Sequence, residues 1–151
     1  MRAAAIPAKV IGSRVLREAL DRGHQVTAAV RDTKKLTEQH PEPHGHHRRR
    51  PRPRLGDGRS QGQDVVVSAV GGGDGPGHIA TIAPAAKSLV AGPRPLGTKA
   101  PQLIAAGGAG SLRTPDGKQV WDAEGLPEFL LQIMHAHGDA LDFYRSVDDV
   151  R

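Results

Sequence analysis

Cysteine is absent from this 151-residue chain. That excludes disulfides, thiolate nucleophiles and every metal site built on sulfur. Aromatic residues make up only 3%, and Trp121, Phe129, Phe143 and Tyr144 all fall in the last third. A core in the first two thirds must therefore be aliphatic and alanine-rich, which buries less area per residue and predicts modest stability. A long apolar run is missing too. Nothing approaches the ~18 residues of a membrane-spanning helix, and no signal-peptide pattern opens the chain, so a soluble, cytoplasmic protein without a membrane partner is expected. The formal charge is +5, but residues 40–59 alone hold six Arg and four His against two acids. Elsewhere acids and bases nearly balance, so the broad basic face of a nucleic-acid-binding domain is not expected.

What the chain does have is glycine (19) and proline (12), which predicts a high loop fraction within one domain spanning 1–151. Its opening reads strand, turn, helix, strand. Residues 2–6 are a short apolar run and 7–12 a turn. Over 13–22, Val15, Leu16, Ala19 and Leu20 share one helical face before Gly23 stops the helix. Residues 25–30 are a second strand, and 32–36 start a further helix. A continuous apolar run at 64–70 predicts a strand buried on both faces. The loop 71–77 and a helix over 78–91 follow, with Pro84 expected to bend or shorten that helix. A fourth strand covers 102–106, and a last helix runs from 126 to about 144, with Pro127 in its first turn. Strands alternating with helices predict an α/β fold: a Rossmann-like, doubly wound parallel sheet with helices on both faces.

The interval 40–63 differs in kind. Between 40 and 54 there is no aliphatic residue, and repeated prolines exclude a central strand or a helix. One βα unit is thus disrupted, and 41–63 reads as an irregular, exposed loop. Out-of-frame reading of GC-rich DNA yields this Arg, Pro, Gly and His composition, and compensating frame changes would explain why aliphatic sequence resumes at Asp64. His44, His46 and His47 lack a rigid frame and a carboxylate partner, so no physiological metal site is expected.

In a βαβ opening, a pyrophosphate lies against the first βα turn and the following helix N-terminus. Ala8, Lys9, Ile11 and Gly12 occupy that place, although only Gly12 remains of the expected glycines, and an ordinary turn is the competing reading. Arg31 and Lys35 follow the second strand, where basic residues suit a 2′-phosphate; a solvated basic turn is the alternative. NADP (as NADPH) therefore fits better than NAD. Ala69, Val70 and Gly71, with Gly107 and Gly108, end two strands with small residues that let a flat cofactor approach the backbone. Ser111 is the hydroxyl there, either a donor to a substrate or nicotinamide carbonyl or a turn residue. His135 and His137 lie on different helix faces and read as structural or exposed. Arg145-Ser146-Val147-Asp148 follows Tyr144, so a Tyr-x-x-x-Lys proton donor is absent.

Three stretches carry a family resemblance. Ile11-Gly12-Ser13-Arg14-Val15-Leu16, continuing through Ala19 to Asp32, is similar to the start of the atypical short-chain dehydrogenases of the NmrA-like, NADH-flavin reductase group. Asp64-Val65-Val66-Val67-Ser68-Ala69-Val70-Gly71 and Gly107-Gly108-Ala109-Gly110-Ser111-Leu112 match two further stretches in the same order. Members carry a Gly-Ala-Thr-Gly-type turn where this chain has Pro7-Ala8-Lys9, and they continue past the position of Tyr144, so the C-terminal part is expected to be incomplete. The resemblance implies an NAD(P)-binding fold with a flavin, quinone or similar planar acceptor as substrate. An NADPH-dependent reductase, acting as monomer or homodimer on a small molecule, leads. A non-catalytic NAD(P) sensor and a polyanion-binding protein using 44–59 are the alternatives.

Overall fold

The computed structural model describes residues 1–6, 10–29 and 60–150. Ala8, Lys9, Arg31 and Lys35, the turn at 32–36 and most of the 41–63 loop lie outside them. The elements are β1 (Arg2–Ile6), α1 (Ile11–Asp21), β2 (Gln25–Ala28), β3 (Val65–Ser68), α2 (Gly75–Ala91), β4 (Gln102–Ala105) and α3 (Glu128–Arg145). They fall into two compact units, one within 1–69, 88–105 and 149–150, the other within 70–87 and 106–148.

The first unit is a four-stranded sheet in the order β2-β1-β3-β4. Every neighbouring pair is parallel, with Ala5 opposite Ala28, Ile6 opposite Ser68, and Ser68 opposite Ala105. All four carboxyl ends therefore share one edge. At the other edge Asp64 ties three strands together. Its carboxylate accepts the Arg2 N–H at 2.6 Å, its own N–H donates to the Arg2 carbonyl, and its carbonyl accepts from Gln102.

The sheet winds outward from the β1–β3 pair in both directions, and right-handed crossovers then put the connecting helices on opposite faces. On one face Leu89 of α2 packs on Val66 and Leu103. On the other, α1 packs against β1 and β2 and buries Gly12 and Leu16. Its face is the one the sequence spacing gives, and its end is a Schellman cap. Gly23 takes φ 74°, its N–H donates to Leu20, and the His24 N–H donates to Ala19. The expectation that residues 64–70 form a strand buried on both faces is corrected in two respects. The strand stops at Ser68, and Val65 and Val67 are only half-buried, because α1, on their side, packs on β1 and β2. Among the described residues no strand flanks β2, the place a doubly wound order gives to the disrupted unit.

The second unit packs the start of α2 and all of α3 around Ile82, Ala86, Ala136 and Ala140, with Val70, Phe143 and Tyr144 against them. Three of its four buried residues are alanines, so the cluster is built largely from small side chains. Glycines extend this packing: a Cβ on Gly138 would stand 2.7 Å from the Trp121 ring, and one on Gly110 would stand 2.5 Å from Met134. Between them, 110–121 is a closed turn, held by Trp121 N–H to the Gly110 carbonyl and a bridge between Arg113 and Gln119.

Helix α2 departs from expectation at both Gly75 and Pro84. It begins three residues early because Asp74 caps it, the carboxylate accepting the Gly77 N–H at 2.6 Å. It also runs unbroken through Pro84. Pro84 and Ala80, whose carbonyl the proline cannot bond, are both exposed to water, so the missing hydrogen bond is not buried.

Candidate functional site

The β1–α1 junction lies at the carboxyl edge of the sheet. Ile6 and Ser68 are register partners, so the chain leaves β1 and β3 side by side, and Ala69 sits buried just beyond. At the start of α1 the Ser13 hydroxyl donates to the Val10 carbonyl at 3.0 Å. Val10 stands at the N-cap with no side-chain cap bond, and the first turn contains no acid. The first turn thus carries the positive end of the helix dipole with no acid to offset it, a property that attracts a phosphate. Gly12 is buried in this turn and Ile11 is exposed.

The second unit holds the other glycines. Gly72 and Gly77 lie so close that a Cβ on either would overlap the backbone of the other. With Asp74 already bonded to Gly77, the start of α2 is satisfied from within. Val70 packs its side chain against the helical core. Gly107 is exposed, with open space where a Cβ would be, whereas a Cβ on Gly108 would stand 3.1 Å from the Cβ of His137. Ser111 is half-buried, and its carbonyl accepts from Gln119.

One pairing escaped the sequence reading. The rings of His78 and His137, far apart in the chain, lie with centroids 5.2 Å apart at a 56° tilt. His78 also covers Gly71, where a Cβ would be 3.5 Å from its Cε1. Nδ1 of His78 is buried with no hydrogen-bond partner among the described residues. Burial, and then the neighbouring His78, hold His137 below the ordinary imidazole range. The pair thus brings Gly71 and Gly108 to two half-buried imidazoles. His135 instead stacks on Trp121, with centroids 4.7 Å apart.

A family model described as NAD(P)H-binding matches residues 10–147. The chain belongs to this NAD(P)H-binding family, and its parallel sheet is of the Rossmann-like kind. Among solved structures, a candidate exported protein from Burkholderia pseudomallei is 33% identical with a TM-score of 0.71, covering 99% of this chain and 68% of its own. A candidate epimerase from Bacteroides thetaiotaomicron is 26% identical with a TM-score of 0.75, covering 99% and 66%. A candidate NADH-flavin reductase from Streptococcus pneumoniae, at 24% identity and a TM-score of 0.75, covers 99% and 68% and shares the fold. This chain thus spans about two thirds of each. No curated protein matches it. Among the described residues no helix is long and apolar enough to cross a membrane.

Proposed function

We propose that this protein is an NADPH-dependent oxidoreductase of the flavin-reductase-like, NmrA-like short-chain group. In this reading 1–151 acts as one NAD(P)H-binding domain in the cytoplasm and passes hydride to a flavin, a quinone or a similar planar acceptor. The observation that carries it is the first turn of α1, uncapped and free of acid at the carboxyl edge of a parallel sheet, in a chain that belongs to an NAD(P)H-binding family. The pyrophosphate would take the amides around Ile11 and Gly12, with Ala8 and Lys9 beside them. Arg31 and Lys35 would meet the 2′-phosphate, which favours NADPH over NADH. The nicotinamide half would lie along the backbone of Ala69, Val70, Gly71, Gly107 and Gly108, with the Ser111 hydroxyl donating to its carboxamide or to the substrate. The bound cofactor supplies the hydride, and the chain supplies orientation and hydrogen bonds.

One observation favours the sensor instead. Pro7 has no N–H to offer a phosphate, and the turn Pro7-Ala8-Lys9 lacks the glycines of the Gly-Ala-Thr-Gly-type turn that the resemblance implies. NADPH oxidation measured with added FMN or menadione separates the two. Turnover of either acceptor is expected. Saturable dinucleotide binding without turnover would make the protein a sensor.

A further inference from the structure

The amino edge of the parallel sheet carries a cleft, at the opposite end of the strands from the first turn of α1. In an open α/β sheet a cofactor lies outside the carboxyl ends of the strands, and every residue proposed to meet NADPH follows such an end. At the amino edge Arg2, Gln25, Gln61, Gln63, Asp64 and Lys99 line a cavity of about 690 Å³. All six belong to the first unit, and local structure places each of them. Arg2 opens β1, and Gln25 opens β2 as its register partner. Gln63 and Asp64 lead into β3 from a turn in which the Gln63 N–H donates to the Ser60 carbonyl and Gly62 takes φ 74°. Lys99 ends the 3-10 segment Arg94–Lys99, shortly before β4.

The charges on this edge are unevenly paired. Asp64 is the one acid among the lining residues, and one of its carboxylate oxygens takes the backbone N–H of Arg2. Neither the Arg2 guanidinium nor the Lys99 ammonium has a hydrogen bond or ion pair among the described residues. Gln63 adds a second unmet need. Its Oε1 is buried with no hydrogen-bond partner among the described residues, and a polar atom in that state is destabilising until something donates to it. We propose that this cleft is a binding site for a phosphate group, as the free ion or as the monoester of a small hydroxylated molecule, held between Arg2 and Lys99. A phosphate dianion matches two cations in charge, and a guanidinium fork and an ammonium both suit its oxygens. The amides of Gln25 and Gln61 are further donors, and the hydroxyl of an ester would give Gln63 Oε1 its missing one. Bound there, the ligand joins the entry of β1 to the entry of β4 and stabilises the folded sheet.

Thermal shift of the whole chain tests this with inorganic phosphate and with glycerol 3-phosphate, against sodium chloride of equal ionic strength. Both phosphates should raise the melting point beyond the chloride control. Arg2→Gln and Lys99→Gln should each weaken phosphate binding by about tenfold. Both variants should fold, since the two side chains are exposed and Arg2→Gln keeps the N–H that Asp64 accepts. Ile11→Asp, at the other edge of the sheet, should leave the phosphate shift as in the wild type. Tighter binding of the ester that disappears in Gln63→Leu supports the hydroxylated monoester as the ligand, and equal binding of the two probes supports the free ion. No shift beyond the chloride control, or a shift unchanged in both Arg2→Gln and Lys99→Gln, would overturn the proposal. A shift lost in Ile11→Asp instead would put the phosphate on α1 and overturn it equally. NADPH titrations of Arg2→Gln and Lys99→Gln should match the wild type, so a failure of the dinucleotide site leaves this one standing.

Discussion

Among the described residues, the helices that follow β1 and β3 begin in opposite ways. After β3, Asp74 caps α2 with its own carboxylate, and Gly72 rests on Gly77 without space for a side chain. After β1, Val10 offers α1 no side-chain cap and the first turn has no acid. The first junction has met its own hydrogen-bonding and electrostatic needs. The second has neither a side-chain cap nor a first-turn acid, and an anion would complement its dipole. A helix N-terminus becomes a ligand site when the chain declines to cap it.

Breaking the self-satisfied junction should cost the most. Gly72→Ala or Gly77→Ala forces a methyl into backbone, so a loss above ~3 kcal/mol is expected, read as a collapse of the denaturation midpoint; a shift of a few degrees would mean that the two segments separate easily. Asp74→Ala removes only the cap, and should lower stability by about 1 kcal/mol while leaving NADPH affinity close to wild type. A large loss of affinity there would mean that α2, not α1, holds the phosphates.

A smaller effect separates the histidine pair from both junctions. His137 is held below its ordinary value of 6.5, so the folded chain takes up that proton less readily than the unfolded chain. Its contribution is complete above about pH 6.5 and is lost as pH falls from there toward the folded value. His137→Gln should flatten the decline of melting temperature with acid across that window. An identical slope in the variant would show that the burial of His137, with His78 beside it, carries no titration energy.

The sequence revealed the parallel α/β plan because its signals are local: alternating short apolar runs, the α1 stripe through Leu16, and the stop at Gly23. The start of α2 was legible as well, since Asp74-Gly75-Pro76 is an N-cap followed by a first-turn proline, but the surrounding glycines read as loop. Glycine was the ambiguous letter throughout. Gly107 has open space and suits a ligand, whereas Gly110 and Gly138 admit Met134 and Trp121, and no spacing rule separates those uses. The His78–His137 contact was beyond reach because it joins α2 to α3 across the fold. The basic tract has its own test. Translating the coding DNA in every frame should recover an aliphatic strand and a helix across 41–63, and their absence from all frames would end the frame-change reading.

The open junction is tested most directly by an NADPH titration of the wild-type protein and Ile11→Asp, followed by thermal shift. Ile11 is exposed at the first position of α1. An acid there complements the helix dipole and should raise the melting point of the free protein slightly, by about 0.5 kcal/mol. The same charge would stand in the place proposed for the pyrophosphate and should weaken NADPH binding by roughly tenfold or more, about 1.4 kcal/mol. A free protein made more stable and a cofactor held more loosely is the expected pair of results. Equal NADPH affinity in the two proteins, or no stabilisation of the wild type by NADPH or NADH, would contradict the assignment of α1 as the phosphate-binding helix.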